Sequence, residues 1–284
     1  MTTEAFFLPA DIGQRFCLFH PANRAPGSSA LGQVVYVHPF TEEMNKSRRM
    51  AALQARALAL AGFEVLQIDL LGCGDSSGDF GDASWAAWVA DVTSACLWLR
   101  ARPDAVSADQ PRPPLWLWGL RAGCLLAIQA AQTLAQPCHF VFWAPTPAGK
   151  PLLQQFLRLK AAADLASGNA KAIMEGLRSS LAQGQAVEVA GYLLAPALAS
   201  GLEQANLTPP ATHGHASRVE WFELSTREDA SLTPVAATSI TQWQQALYTV
   251  RSHLINGPGF WQTTEIEDAS ALIDATTMAM RHGQ

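Results

Sequence analysis

Two periodicities alternate along the chain. Short apolar runs rich in β-branched and aromatic residues are separated by longer segments in which apolar positions return every three or four residues, the pattern of strands alternating with helices in an α/β sheet. Ala5–Leu8 and Arg15–His20 read as an opening antiparallel pair, and Gln33–His38, with Val34-Val35-Tyr36-Val37 at its centre, reads as a buried strand. A helix over Ser47–Ala61 is closed by Gly62 at a C-cap position. A strand follows over Glu64–Asp69, then a helix over Ser84–Arg100 with Ser84 as N-cap. In that helix Trp85, Trp88, Val89 and Val92 recur at helical spacing, which assigns Trp85, Trp88 and Trp98 to core packing.

Ala101–Pro114, rich in proline and polar residues, reads as a surface loop. Leu115–Trp118 is the next strand, Ala122–Ala135 a helix and Cys138–Trp143 a further buried strand. From Thr146 to Ser217 the alternation breaks into alanine- and leucine-rich sequence with polar residues at helical intervals. This stretch is expected to be an inserted helical cap over residues 146–217, with the sheet core formed by 1–145 and 218–284. Arg218–Leu224 resumes the sheet, Pro234–Ala246 is a helix, Tyr248–Ile255 the last strand and Asp268–Arg281 a final helix.

Composition narrows the function classes. Of 284 residues, 49% are hydrophobic and 15% charged, enough apolar material for a sizeable core. The formal charge of −5 gives no footing for a nucleic-acid partner. No run of 18 apolar residues is present, so no membrane span is expected. The segment Met1–Phe7 has neither the basic stretch nor the apolar core of a secretory signal. Cys17, Cys73, Cys96, Cys124 and Cys138 are scattered without C-x-x-C spacing, so neither a metal site nor a disulfide framework is expected. The expectation is a cytoplasmic protein with reduced thiols and no cofactor.

The chemistry-bearing stretch is Trp116-Leu117-Trp118-Gly119-Leu120-Arg121-Ala122-Gly123-Cys124. It has the layout G-x-S-x-G of a nucleophile elbow, a sharp strand-to-helix turn that lifts one side chain above the sheet of an α/β hydrolase. Arginine stands where serine belongs, and a guanidinium offers only donors, so it cannot attack a carbonyl. Upstream, Val37-His38-Pro39-Phe40-Thr41-Glu42-Glu43 follows a strand at the place of an oxyanion loop. His38 there is read as a strand-end residue and not as a base. Asp69-Leu70-Leu71-Gly72-Cys73-Gly74-Asp75-Ser76 reads as an architectural turn in which the aspartate and serine bond loop amides. After the strand at 218–224, Asp229 is the first choice for a triad acid and Glu228 the second. No histidine occupies the glycine-rich loop Asn256-Gly257-Pro258-Gly259-Phe260-Trp261; His253 falls within the last strand and His282 at the terminus.

These runs together resemble the α/β-hydrolase superfamily over nearly the whole chain. More narrowly, the sequence resembles the second of two hydrolases associated with the exosortase A system. The resemblance is carried by Gln14-Arg15-Phe16, Pro39 to Arg49, Asp69 to Ser76, Gly119 to Gly123, Ala190-Gly191-Tyr192 and Gly259-Phe260-Trp261. It implies a bacterial α/β-hydrolase fold with a cap, ester or acyl hydrolysis, and a place beside exosortase and exopolysaccharide genes. Gly119 and Gly123 match the elbow and Asp229 can match the acid; Arg121 departs from the serine, and the histidine has no match.

Three readings of Arg121 stay open at this stage. It pairs with an acid, Glu43 first and Glu42 or Asp229 next, in a two-pronged arginine–carboxylate contact. It binds the carboxylate or phosphate of a small-molecule or saccharide-linked acidic ligand beneath the cap, in a pocket formed by His38, Phe40, Thr41, Glu42, Glu43, Leu120 and Ala122. Or hydrolysis survives on a relocated nucleophile, Ser47, Ser76 or Cys124.

Overall fold

The computed structural model describes residues 2–25, 27–102, 112–134, 136–163, 169–212 and 214–281. The loop expected around Ala101–Pro114 lies outside the described residues from 103 to 111, as does His282. Strands in chain order are β1 (Glu4–Pro9), β2 (Gln14–His20), β3 (Gly32–Val37), β4 (Phe63–Ile68), β5 (Leu115–Leu120), β6 (His139–Trp143), β7 (Val187–Val189), β8 (Tyr192–Leu194), β9 (Ser217–Ser225) and β10 (Tyr248–Asn256). Eight of them form one sheet in the order β1-β2-β4-β3-β5-β6-β9-β10. β1 runs antiparallel to β2 and β2 antiparallel to β4; all other neighbours are parallel. This is the α/β-hydrolase fold.

The helices are α1 (Glu42–Leu60), α2 (Trp85–Ala101), α3 (Ala122–Leu134), α4 (Gly149–Ala163), α5 (Ala170–Ala182), α6 (Pro196–Gln204), α7 (Pro234–Gln245) and α8 (Ser270–Arg281). Alternation along β5 divides the interior into two cores. Leu115 and Leu117 join Trp88, Cys96, Phe140, Trp221 and Trp243 on one face. Trp116, Trp118 and Leu120 join Tyr36, Trp143, Phe222, Phe260 and Trp261 on the other. A central parallel strand covered on both faces is apolar throughout, and every residue of β5 is buried. Ser84 caps α2 as expected, its hydroxyl accepting from the Ala87 N–H at 3.1 Å. The turn at 69–76 is fastened as its residue types require: Asp69 Oδ2 accepts from the Asp75 N–H at 3.1 Å, and Ser76 Oγ donates to the Asp69 carbonyl and accepts from the Phe16 N–H.

Two expectations are corrected. α1 begins at Glu42, five residues before Ser47. Thr41 adopts φ 51°, which ends the strand-like path, and Glu42 and Glu43 then fill the first helical turn, where carboxylates favour the positive end of the helix. The stretch 146–217 is not helical throughout: β7 and β8 form an antiparallel hairpin within it. Their two-residue connection is Ala190 and Gly191 at φ 49° and 83°, a connection in which both central residues take positive φ. The elements between β6 and β9 stay outside the main sheet. They pack on it through Phe156 of α4 against Phe40 and Tyr192 of β8 against Phe80. No helix among the described residues is long and apolar enough to cross a membrane, and none of their His, Cys, Asp and Glu groups forms a metal-sized cluster. All five cysteines are free and buried.

At the far end of the sheet, Glu220 is fully buried and holds Arg218, Arg251 and His253. The two arginines also donate to the carbonyls of Ala279 and Met280, satisfying the last turn of α8. Beside them His139 stacks on Trp116 at 4.7 Å, and its Nδ1 accepts from the Arg218 N–H at 3.0 Å. Burial first, and Arg218 second, push the His139 pKa down to about 4. The unfolded chain therefore binds more protons than the folded one between pH 6.5, the ordinary histidine value, and about 4. Through His139 alone the wild type forfeits on the order of 3 kcal/mol as pH falls through that window. Urea titrations at pH 7 and 4 should show a smaller acid loss in His139→Gln than in wild type.

Candidate functional site

β5 ends at Leu120, α3 begins at Ala122, and Arg121 joins them at φ 55°. A left-handed backbone at a non-glycine residue costs roughly 1–2 kcal/mol, so the surroundings must enforce it. They do so on both sides. The Arg121 N–H donates to the Trp143 carbonyl at 3.0 Å, and the Arg121 carbonyl accepts from the Cys124 N–H at 3.1 Å. A Cβ on Gly119 would lie 2.5 Å from the Cys124 nitrogen, and one on Gly123 would collide with the Val37 carbonyl and lie 2.8 Å from that of His38. The two glycines of the motif are thus needed for close backbone passage between β5, α3 and the end of β3.

The Arg121 side chain turns toward α1. Its Nε lies 3.4 Å from Glu43 Oε1, and the two side chains are 18% and 19% exposed. The guanidinium sits 5.7 Å from the ring centre of Trp261. The other Glu43 oxygen, and the indole nitrogen of Trp261, are buried without a hydrogen-bond partner among the described residues. Burial holds the Glu43 carboxyl above its ordinary pKa, and the Arg121 charge only partly offsets it. A second acid feels the guanidinium's charge. Glu223, in β9, is also pushed up by burial; a hydrogen bond of 2.9 Å from the Trp221 indole and the Arg121 charge act against the shift. One cation therefore acts on two carboxyls that burial discourages from ionising, Glu43 in contact and Glu223 through its charge alone.

The contact with Glu43 is single, through Nε, and not the two-pronged pair expected. Glu42 faces away from Arg121 and takes hydrogen bonds from Tyr192 Oη at 3.1 Å and Asn45 Nδ2 at 3.2 Å. Asp229 is 80% exposed and pairs with Arg227 at 3.3 Å. It lines a cavity of about 250 Å³ at the ends of β9 and β10 with Glu223, Ser225, Arg227, Ser231 and Thr233. His38 is buried and satisfied: Nδ1 donates to the Pro39 carbonyl at 2.8 Å, and Nε2 accepts from the Leu70 N–H at 3.3 Å. Phe40 packs edge-on against Phe80, Trp88 and Phe156. Thr41 is buried at the start of α1. Leu120 and Ala122 point into opposite cores and only position Arg121.

None of the relocated nucleophiles is free. Ser47 is buried and donates to the Met44 carbonyl; Ser76 is held in its turn; Cys124 is buried, and burial raises its thiol pKa well above normal. His253 lies inside β10, bonded to Glu220 at 2.9 Å. The sequence reading missed Glu223 and Trp261. Period-two alternation in β9 places Glu223 on the Trp221 face, a signal that was available. Trp261 comes from the loop in which a triad histidine was sought, and nothing local marked it as facing the elbow.

A profile of the serine aminopeptidase S33 family matches residues 28–192, from the approach to β3 through the elbow and into the β7–β8 hairpin. The chain belongs to this family. The human protein ABHD12B is 26% identical over 149 residues, which is 47% of this chain and 38% of that protein, so this chain spans well under half of it. Three solved structures share the fold. Est1E from Butyrivibrio proteoclasticus with bound ferulic acid has a TM-score of 0.65 at 14% identity, covering 98% of this chain and 97% of its own. A thermostable carboxyl esterase from Bacillus coagulans in complex with glycerol has a TM-score of 0.62 at 12% identity, covering 99% of each chain. Proline iminopeptidase from Mycobacterium smegmatis has a TM-score of 0.59 at 13% identity, covering 98% of each. At these identities the likeness is one of fold. The S33 family is named for a serine; this chain carries Arg121 at the elbow.

Gly123→Ala should destabilise the protein by about 2 kcal/mol or more, because its new methyl meets backbone oxygens that cannot swing aside. Urea denaturation checks this. An unchanged midpoint would mean that α3 and β3 do not approach as closely as described.

Proposed function

We propose that this S33-family chain serves an exosortase A-type exopolysaccharide system, and that its elbow recognises an anionic group in place of delivering a serine. The observation that carries the reading is Arg121 at the strained elbow position, φ 55°, with a half-engaged guanidinium. A nucleophile must shed a proton and attack; Arg121 can do neither. It is suited to hold a carboxylate or phosphate through a planar fork of donors. The buried or bonded states of Ser47, Ser76 and Cys124 support the same reading. The link to the exosortase setting rests on the sequence resemblance alone.

Residues 146–217 would then act as a cap that closes over the anion. Support comes from Phe156 and Tyr192, which reach from this stretch to Phe40 and Glu42 on the loop before and at the start of α1. Ferulic acid, bound in one of the fold relatives, suggests the kind of molecule: small, with a carboxyl group. Ligands of open α/β sheets lie beyond the carboxyl ends of the strands, where Arg121 sits.

A fluorophosphonate probe should leave the wild-type protein unlabelled, and panels of p-nitrophenyl esters and aminoacyl p-nitroanilides should show no turnover above buffer. Arg121→Ser alone should remain inactive, because the side chain of residue 121 meets Glu43 and Trp261 and no histidine among the described residues. Labelling of one serine or cysteine, abolished with turnover by its mutation, would replace this reading with a hydrolase using a relocated nucleophile.

A further inference from the structure

Resting on the anion-binding reading of Arg121, we propose that Glu43 is a built-in rival for the ligand, a carboxylate that restrains the Arg121 guanidinium and gives way to an external monocarboxylate. The internal comparison is Arg49, one turn and a half further along α1. Arg49 meets Asp268 with both prongs, Nε to Oδ1 at 2.8 Å and Nη2 to Oδ2 at 2.8 Å, although both side chains are well exposed. The elbow pair is more buried, where a poor contact costs more, yet it uses one nitrogen and one oxygen at 3.4 Å. Charge-assisted hydrogen bonds of this kind normally close to roughly 2.7–2.9 Å.

What the pair leaves unused defines the ligand. The η nitrogens of Arg121 make no hydrogen bond to the described residues, so two donors side by side remain for an incoming group. A planar carboxylate accepts both. The unpaired Glu43 oxygen means that its acceptors are only half met, and release from Arg121 forfeits one long contact. Charge selects between anions. Glu43 from α1 touches the guanidinium and Glu223 from β9 interacts with its charge, while burial keeps the Cys124 thiol of α3 well above its ordinary pKa. Each of these acids, when ionised, repels a dianionic phosphate about twice as strongly as a monocarboxylate at the same distance. The indole of Trp261 lies along the guanidinium and offers an apolar flank to the body of the ligand.

The test is isothermal titration of the full chain with benzoate and with inorganic phosphate, for wild type, Glu43→Gln, Arg121→Ala and Arg121→Gln. Thermal melts confirm that each variant is folded, and Arg121→Gln serves if the alanine variant is not. Glu43→Gln should bind benzoate at least about tenfold tighter than wild type, since it keeps shape and removes the competing charge. Both arginine variants should lose binding, and benzoate should exceed phosphate throughout. Arginine-dependent benzoate binding that Glu43→Gln leaves unchanged or weakens overturns the rival role and leaves the anion site standing. Tighter binding of phosphate overturns the choice of a monocarboxylate. If neither wild type nor Glu43→Gln binds benzoate or phosphate, the anion reading itself falls, and the rival with it.

Discussion

Gly123 passes so close to the end of β3 that no side-chain atom fits between it and the Val37 and His38 carbonyls. That approach locks α3 against the neighbouring strand, and Gly119 locks the other side of the same turn. With both anchored, the residue between them has one backbone course left, and it is a left-handed one. The loop 38–43 is placed by the same contact, and α1 starts from that loop with Glu43 in its first turn. The meeting of Arg121 with Glu43 is thus a result of backbone packing before it is a result of charge.

Much of this arrangement can be read from residue order. The strands of the main sheet follow from runs of β-branched and aromatic residues, because a doubly covered strand must be apolar on both faces. The elbow follows from two glycines at fixed spacing between a strand and a helix. Harder to read were features set by contacts distant in sequence. The first turn of α1 contains Glu42 and Glu43, which look like loop residues until Thr41 breaks the chain path. The β7–β8 hairpin hides among alanines and leucines because its strands are three residues each, too short for period-two alternation to stand out. At the site, Trp261 approaches Arg121 from 140 positions away in sequence, counting 261 − 121. Of the acids weighed for Arg121, electrostatics alone could not rank Glu43 over Asp229; the exposed loop that frees Asp229 to pair with Arg227 decides it.

The molecule treats its charges differently at its two ends. Glu220, with two arginines and a histidine around it, is a crowded cluster that finishes α8 and ties it to the sheet edge, with Arg218 Nε left unpartnered among the described residues. At the elbow Glu43 makes one long contact with the guanidinium, and its other oxygen and the Trp261 indole nitrogen have no partner among the described residues.

The positive φ at position 121 has an evolutionary consequence. The strain of that backbone is borne by any side chain with a Cβ, serine and arginine alike, and the glycines and carbonyls that impose it lie elsewhere. Exchanging the side chain there alters the chemistry presented above the sheet while leaving the mould untouched. Ancestry is written in the mould, in residues that never meet a ligand; one codon changes the group presented at the summit, while a reaction there also needs the partners that group must work with.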